Sequence, residues 1–399
     1  MLDHAVVGLV AAAVTAALVP LVGALSRRAG AVRWRAGEGP DVRPVHHAST
    51  GRRGSDGRVP VLGGLAMFGG LLVGLAVAAP RDAFAEVFSS TSEPVGLVVG
   101  ATAIVTVGVL DDLLDLSAAL KLAGQIVAAT LVSALGLQLQ YFWLPSVGVV
   151  ALSSDLGLVL TVLFLVAFVN IVNLVDGLDG LAAGVAGIGA VAFLLYALRG
   201  GGAAASLLSS ATLLAVITIG ISAGFLLHNW YPARIFMGDT GSMLLGLLLG
   251  AAGVAHVGRS SSPSTAEFLA SVPLVVPLIV LAVPLVDTLL TIARRLRRDQ
   301  PVTRADLGHL HHALVASGHP HRRAVLVLYG WSVVSGLAVV GPLYLPGSTI
   351  AALLLVLVLV VAGFTLVGLR ERDSGERPSH DGGRDRVGPV DQERAPGPI

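Results

Sequence analysis

Long apolar blocks, separated by short polar segments, follow one another along most of the chain. A helix needs about 20 apolar residues to cross the hydrocarbon core of a bilayer. Eleven blocks meet or approach that length, so the pattern predicts an all-α polytopic membrane protein with about 11 transmembrane helices. The stretch 137–155 is too polar to span and is expected at the membrane interface. The predicted spans are residues 5–24, 61–79, 95–112, 118–136, 156–174, 180–198, 205–228, 241–257, 268–293, 324–342 and 349–369.

Composition supports the membrane assignment and excludes several classes of protein. Hydrophobic residues make up 54% of the 399 residues and charged residues only 13%, against about 25% charged residues in an average soluble protein. The chain has no Cys, which excludes a disulfide framework, thiolate catalysis and a Cys-based zinc site. No segment is basic and aromatic enough to indicate a nucleic-acid partner.

The basic residues predict the orientation in the membrane. Of the 26 Lys and Arg residues, 23 fall at one face when the loops are assigned alternately, and only Arg81, Arg199 and Arg259 fall at the other. The positive-inside rule makes the basic face cytoplasmic, which puts the N-terminus outside and the C-terminus inside. Residues 1–369 are predicted to form one membrane domain. The tail 370–399 has no apolar period and is predicted to be a disordered cytoplasmic segment.

Polar clusters lie at the cytoplasmic ends of the spans, where ionisable residues indicate function by default. The first cluster is Asp111, Asp112 and Asp115 at the end of span 3. A helical spacing puts Asp111 and Asp115 on one face. Three carboxylates so close repel one another unless a cation or a proton intervenes, and Mg²⁺ prefers carboxylate and phosphate oxygens. The alternative is a helix end with solvated acids, although acids there oppose the helix dipole.

The second cluster joins spans 5 and 6. Asn170, Asn173 and Asp176 recur every third residue and so lie along one helical stripe, and Asp179 follows between two glycines. The glycines allow a tight turn and a close approach of backbone to ligand. An ordinary Asn/Asp/Gly turn is the alternative, but it does not explain two Asn residues inside an apolar span.

The third cluster precedes span 8. Asp239 or Thr240 can cap this helix, and a helix N-terminus with glycines attracts phosphate through its free N–H groups. The cap alone is an equally good explanation of Asp239. His228, at the end of span 7, is also compatible with an ordinary hydrogen-bonded histidine.

The fourth cluster is His309, His311 and His312 in the Arg-rich loop after span 9. Three histidines in four residues indicate metal binding, or phosphate binding by imidazole N–H donors. A solvated His-rich loop is the alternative. A looser fifth region, 41–47, precedes Gly63 and Gly64, for which close helix packing is the favoured interpretation.

Together the clusters resemble the polyprenyl-phosphate N-acetylhexosamine-1-phosphate transferases, of the MraY, WecA and TagO type. The resemblance covers about residues 40 to 340. Its paired aspartates match Asp111 and Asp112, and Asp115 matches the third acid of that motif. The other matching residues are Asn170, Asn173, Asp176 and Asp179 in the Asn-x-x-Asn-x-x-Asp-Gly-x-Asp-Gly loop, Asp239 in the Met-Gly-Asp-x-Gly-Ser motif, and His309, His311 and His312 in the late histidine motif.

The resemblance implies a Mg²⁺-dependent enzyme (with Mn²⁺ as a substitute) of the inner, or plasma, membrane. The His-Leu-His-His form resembles the branch that transfers N-acetylglucosamine 1-phosphate, whereas the muramyl-pentapeptide branch more usually shows three consecutive histidines. Two departures concern the donor contacts: Ala313 stands where a basic residue commonly follows, and the stretch 47–59 is expanded. The implied reaction is attack of an undecaprenyl or decaprenyl phosphate on the β-phosphorus of UDP-GlcNAc, which releases UMP. It is the first membrane step of cell-envelope glycopolymer synthesis.

The resemblance also implies a role for each residue. Asp111 and Asp239 are the expected Mg²⁺ ligands, and Asp112 is expected to position the lipid phosphate and to be able to accept a proton. The other expected site residues are Asp176, Asp179, His311 and His312 as catalytic groups, and Asp115, Lys121, Asn170, Asn173, His309 and Arg294 as substrate-binding groups.

Three alternatives remain open from the sequence. One is the muramyl-pentapeptide transferase branch. Another is an intramembrane prenyltransferase of the UbiA type, which also uses Asp-rich motifs and Mg²⁺ but fits the Asn-x-x-Asn loop poorly. The third is a secondary transporter, but transporters place such residues near the midplane in related halves. The sequence does not decide between a monomer and a homodimer.

Overall fold

The computed structural model describes residues 1–34, 58–144, 148–200, 210–257 and 320–375. Helices dominate these ranges, joined by short turns and two small antiparallel strand pairs. The helices are α1 (Leu2–Arg28), α2 (Gly64–Ala78), α3 (Ala85–Ser90), α4 (Glu93–Leu114), α5 (Ala118–Ala134), α6 (Ser154–Val175), α7 (Leu181–Gly200), α8 (Ser210–Asn229), α9 (Gly238–Val257), α10 (His321–Tyr344) and α11 (Gly347–Gly375). The strands are β1 (Val32–Trp34), β2 (Arg58–Pro60), β3 (Tyr141–Leu144) and β4 (Gly148–Ala151).

Ten of the eleven predicted spans coincide with a helix, and the ninth, 268–293, lies outside the described residues. Within the described ranges, eight helices are long and apolar enough to cross a membrane. Helix α5 is shorter, and α2 bends by 106° into the next short helical segment. The all-helical, multi-pass architecture is therefore confirmed, while the number eleven and the orientation stay predictions.

Serine caps fix where two of the helices begin. The Ser117 hydroxyl accepts a hydrogen bond from the N–H of Leu120 at the start of α5, and the Ser153 hydroxyl accepts one from Leu156 at the start of α6. Each cap satisfies an N–H group that has no partner within its helix. The turns before α5 and α6 are therefore encoded locally.

Helix α9 forms the centre of the bundle. Its apolar window, Gly238–Ala255, is 94% buried, against 22% for α1 and 11% for Gly347–Thr365 in α11. It packs against α2, α4, α6, α7 and α8. A side chain at Gly246 would meet the backbone of Val169 in α6, so small residues let the neighbouring helices approach closely.

The close packing predicted at the start of span 2 is confirmed. Gly63 N–H donates to the Phe236 carbonyl at 3.0 Å and Gly64 N–H donates to Met237 at 2.9 Å. A Cβ on Gly64 would collide with the backbone of Gly241 in α9. The head of α2 is therefore bonded to the segment that leads into α9.

Two segments differ from a simple helix-and-loop pattern. The polar stretch 137–155 contains the antiparallel hairpin β3–β4, with Tyr141 opposite Ala151. Strands β1 and β2 form a second antiparallel pair after α1, with Val32 opposite Pro60. At the other end, α11 continues to Gly375, so it enters the segment predicted as a disordered tail. Residues 376–399 lie outside the described ranges.

Candidate active site

Polar ends of α4, α5, α6 and α9 meet at one end of the bundle. The ammonium group of Lys121 lies 3.2 Å from Asp111 Oδ2 and also contacts a carboxylate oxygen of Asp239. The side chains of Asp111, Asp239 and Lys121 are 8%, 17% and 19% exposed. Two carboxylates from different helices thus share one cation in a largely buried position, and the structure brings these two expected metal ligands together.

A sharp reversal between α4 and α5 creates this arrangement. Helix α4 ends at Leu114, and Asp115 adopts a left-handed conformation with φ of 53°. The N–H of Leu116 then donates to Asp111 Oδ1 at 3.1 Å. The chain turns back into α5, which brings Lys121 beside Asp111.

The expected position of Asp115 was wrong. Helical spacing predicted that it shares a face with Asp111, but the helix ends one residue earlier and Asp115 is exposed. A left-handed residue after a helix directs the chain away from the helix axis. Asp115 is therefore an exposed acid beside the site, and it is not part of the group formed by Asp111, Asp239 and Lys121.

Asp112 bonds to the N-terminus of α9, 127 residues later in the chain. Its carboxylate accepts hydrogen bonds from Asp239 N–H at 3.0 Å, Thr240 N–H at 3.1 Å and the Thr240 hydroxyl at 2.7 Å. Nη2 of Arg33, in β1, lies 3.7 Å from Asp112 Oδ1. The sequence predicted that free N–H groups at this helix N-terminus would bind phosphate. For Asp239 and Thr240 that prediction is wrong, because the Asp112 carboxylate already accepts hydrogen bonds from both N–H groups.

The two asparagines of α6 connect helices to one another. Asn170 donates to Gln125 Oε1 at 2.7 Å and to the carbonyl of Val166 at 2.8 Å. Asn173 donates to the Ser242 hydroxyl at 2.9 Å. The predicted stripe holds for these two residues, whereas its third member, Asp176, lies just past the end of the helix. The contacts of the two asparagines tie α6 to α5 and α9.

The loop after α6 is fixed by the segment that follows α8. Asp179 Oδ2 accepts a hydrogen bond from Ala233 N–H at 2.9 Å. Gly180 N–H donates to Asn229 Oδ1 at 2.9 Å, and the Tyr329 hydroxyl donates to the Gly180 carbonyl. Gly180 has φ of +81°, a conformation that glycine adopts readily. The buried Asp179 thus holds the loop in shape.

Asp176 directly follows the last residue of α6. Burial raises the pKa of its carboxyl to about 7, the charges of Asp112 and Asp179 raise it as well, and Arg33 opposes the rise. A nearby positive charge favours the ionised form of a carboxyl group. The loop therefore presents an acid whose charge depends on whether a cation lies beside it.

Comparison with known proteins decides the family. Residues 94–257 match the family described as Glycosyl transferase family 4. The chain is 36% identical to the decaprenyl-phosphate N-acetylglucosaminephosphotransferase of Mycobacterium tuberculosis, over 93% of this chain and 90% of the relative. The chain belongs to the family of polyprenyl-phosphate N-acetylhexosamine-1-phosphate transferases. The resemblance inferred from the motifs is confirmed, which removes the UbiA-type prenyltransferase and the transporter as alternatives.

Two further relatives bear on the branch of this transferase family. A probable undecaprenyl-phosphate N-acetylglucosaminyl 1-phosphate transferase of Bacillus subtilis is 32% identical, over 82% of this chain and 83% of the relative. A phospho-N-acetylmuramoyl-pentapeptide-transferase of Thermosynechococcus vestitus is 35% identical, but over 31% of each chain. The long matches are therefore to relatives named for N-acetylglucosamine.

The site of this transferase offers a pair of carboxylates for a metal ion. Among the described residues, no group of three or more His, Asp or Glu side chains is placed to hold a metal. Asp111 and Asp239 nevertheless converge on one ammonium group, which marks a position suited to positive charge. Mg²⁺ commonly takes one or two carboxylates and completes its shell with water and substrate phosphates. The donor set therefore fits Mg²⁺ bound together with a diphosphate.

The structure adds residues that sequence analysis missed. Gln125 lies one turn after Lys121 in α5. Its polar side chain within an apolar helix is a signal from which the sequence could have identified it. Arg33 was one of many arginines in its loop, and no spacing distinguished it. The predicted site residues Arg294, His309, His311 and His312 lie outside the described residues.

Proposed function

We propose that this protein transfers N-acetylglucosamine 1-phosphate from UDP-GlcNAc to a polyprenyl phosphate, with release of UMP. The observation that carries the proposal is the convergence of Asp111, Asp239 and Lys121 beside the Asn/Asp loop. Relatives named for the same transfer to decaprenyl or undecaprenyl phosphate, which match most of the chain, support it. The product is a polyprenyl diphosphate that carries N-acetylglucosamine.

The chemistry of phosphoryl transfer suits these residue types. Such reactions need positioning and neutralisation of charge more than covalent catalysis. The acceptor is a phosphate monoester whose second pKa is about 6, so it is largely ionised at neutral pH. The attacking oxygen therefore needs a position more than it needs a strong base.

Asp111 and Asp239 would hold Mg²⁺, which when bound neutralises charge on the diphosphate. Lys121 already pairs with both carboxylates and is placed to move its charge towards a phosphate oxygen when the metal is present. Asn173 bonds to Ser242, one turn after Asp239 in α9, and Asp176 directly follows α6. We assign both residues to the nucleotide or the metal. The histidines of the late motif, His309, His311 and His312, lie outside the described residues, and we assign them to the diphosphate.

We expect purified protein in detergent or nanodiscs to release UMP from UDP-GlcNAc only when polyprenyl phosphate and a divalent cation are both added. Omission of either component should reduce the product to background. UDP-GalNAc and UDP-muramyl-pentapeptide, supplied in parallel, test the choice of donor. Faster turnover of the muramyl-pentapeptide donor than of UDP-GlcNAc would contradict the proposal.

The site is proposed to face the cytoplasm, where UDP-sugars are made. A reporter active only outside the inner membrane should therefore work when fused within 83–93 and fail when fused within 299–308, a segment outside the described residues. A reporter active only in the cytoplasm should give the opposite result at each position. If both reporters show the reverse, the orientation inferred from the arginines is wrong.

A further inference from the structure

Both oxygens of the Asp112 carboxylate accept hydrogen bonds from the start of α9. An ionised carboxylate offers about four lone-pair sites. Three are used by Asp239 N–H, Thr240 N–H and the Thr240 hydroxyl, and Arg33 lies against the remaining side at 3.7 Å. The side chain of Asp112 is 0% exposed. Both oxygens of this carboxylate are therefore engaged within the protein, and neither is exposed at the surface.

The surrounding backbone leaves no spare space. Gly238 has φ of +66°, and a Cβ at that position would collide with the carboxylate of Asp112. One turn earlier in α4, a Cβ on Gly108 would collide with the backbone of Thr240. Helices α4 and α9 therefore meet by direct backbone packing, and Asp112 is enclosed between them.

The neighbouring Asp111 is more exposed than Asp112 and accepts fewer hydrogen bonds from the backbone. Its Oδ1 accepts one hydrogen bond, from Leu116 N–H, and its Oδ2 accepts one from the Lys121 ammonium group. Asp239, whose side chain is 17% exposed, also faces that lysine. The two acids that share Lys121 can exchange partners, whereas Asp112 is held by backbone groups.

We propose that Asp112 is a positioning residue that caps the N-terminus of α9 from α4 and thereby holds Asp239 beside Asp111. A negative charge at a helix N-terminus is favoured by the helix dipole, and hydrogen bonds to a carboxylate are stronger than those between neutral groups. The inference rests on the proposed function only in that Asp111 and Asp239 are taken as the metal ligands.

Thr240 gives the sharpest test because its hydroxyl bonds Asp112 and its side chain is buried. Thr240→Val keeps the size of the side chain but removes that donor, and Thr240→Ser keeps the donor. Mn²⁺ alone, titrated into purified protein and followed by electron paramagnetic resonance, reports on the metal site without substrate. We expect Thr240→Val to weaken Mn²⁺ binding by about 10-fold and Thr240→Ser to bind within about twofold of the wild type.

Thr218→Val is the matched control. Thr218 is equally buried, but its hydroxyl donates within α8, to the carbonyl of Leu214, so Mn²⁺ binding should not change. Asp112→Asn should weaken Mn²⁺ binding as well, because its amide would face one of the N–H groups of α9. In the double variant, Thr240→Val should add little to the loss of Mn²⁺ binding caused by Asp112→Asn, since both changes remove the same hydrogen bond. Excess Mg²⁺ should restore most of the UMP release by Thr240→Val.

Two results would overturn the proposal. In one, Thr240→Val and Asp112→Asn bind Mn²⁺ like the wild type, while Asp112→Asn is inactive at every Mg²⁺ concentration, as expected of a proton acceptor. In the other, the two changes have additive effects. If the wild type itself binds no Mn²⁺, the metal assignment fails instead. The cap is then judged by thermal unfolding, where additive losses in Tm for the two changes would exclude it and non-additive losses would support it.

Discussion

Asp111→Asn and Asp239→Asn should each lower the rate of UMP release by more than about 100-fold, since loss of groups that merely support metal ligands already costs about 10- to 100-fold. Each change removes one of the two negative charges that converge on Lys121. Lys121 would then neutralise the one remaining acid, so the pair would carry no net negative charge and would attract a divalent cation less strongly. The loss should therefore be larger at low Mg²⁺ than at high Mg²⁺.

Asp115→Asn is the matched control for these variants. It removes the same charge from the same segment, but Asp115 is exposed and lies beyond the end of α4. We expect its rate to stay within about twofold of the wild type, because surface substitutions outside such contacts have small effects. This result would also remove Asp115 from the expected substrate-binding groups. Initial rates over a Mg²⁺ series, with size-exclusion profiles to check folding, make the comparison. Equal losses at all three positions, or near wild-type rates for Asp111→Asn, would refute the metal assignment.

The helical architecture could be predicted because span formation is a local property. Each apolar block must satisfy its own backbone hydrogen bonds in lipid, and a helix does so within the segment. The periodicity of Asn170 and Asn173 likewise predicted their common stripe. The exit of Asp115 from its helix was not predicted, because the sequence Asp-Leu-Leu-Asp carries no glycine or proline to mark the helix end.

The convergence of the polar clusters could be predicted from topology, since alternate loops lie at the same membrane face. The hydrogen-bond partner of each side chain in these clusters could not be predicted. The bonds from Asp112 to Thr240 and from Asn173 to Ser242 join residues 128 and 69 positions apart, and sequence spacing carries no information about which groups meet across helices. For this reason the N–H groups of α9 were expected to be open to phosphate, although a distant acid occupies them.

Gly108→Ala should destabilise the protein and lower its activity, although alanine normally favours a helix. In α4 the added Cβ would collide with the backbone of Thr240 at the start of α9. Since backbone cannot move aside as a flexible side chain can, the two helices must separate, at a cost of about 1–3 kcal/mol in the free energy of unfolding. The separation would also draw Asp239 away from Asp111, and a displacement of about 1 Å can lower a rate by about 10²-fold.

Gly363→Ala tests whether the effect of Gly108→Ala comes from packing and not from glycine as such. Gly363 also lies inside a helix, α11, but a Cβ there would meet nothing within 4 Å. Helix propensity alone predicts stabilisation by up to about 1 kcal/mol at such a site. The thermal unfolding midpoints in detergent should therefore shift in opposite directions for the two variants, and only Gly108→Ala should lose UMP release. A Gly108→Ala protein as stable and active as the wild type would show that α4 and α9 are not in direct backbone contact, and the position of Asp239 would then need another explanation.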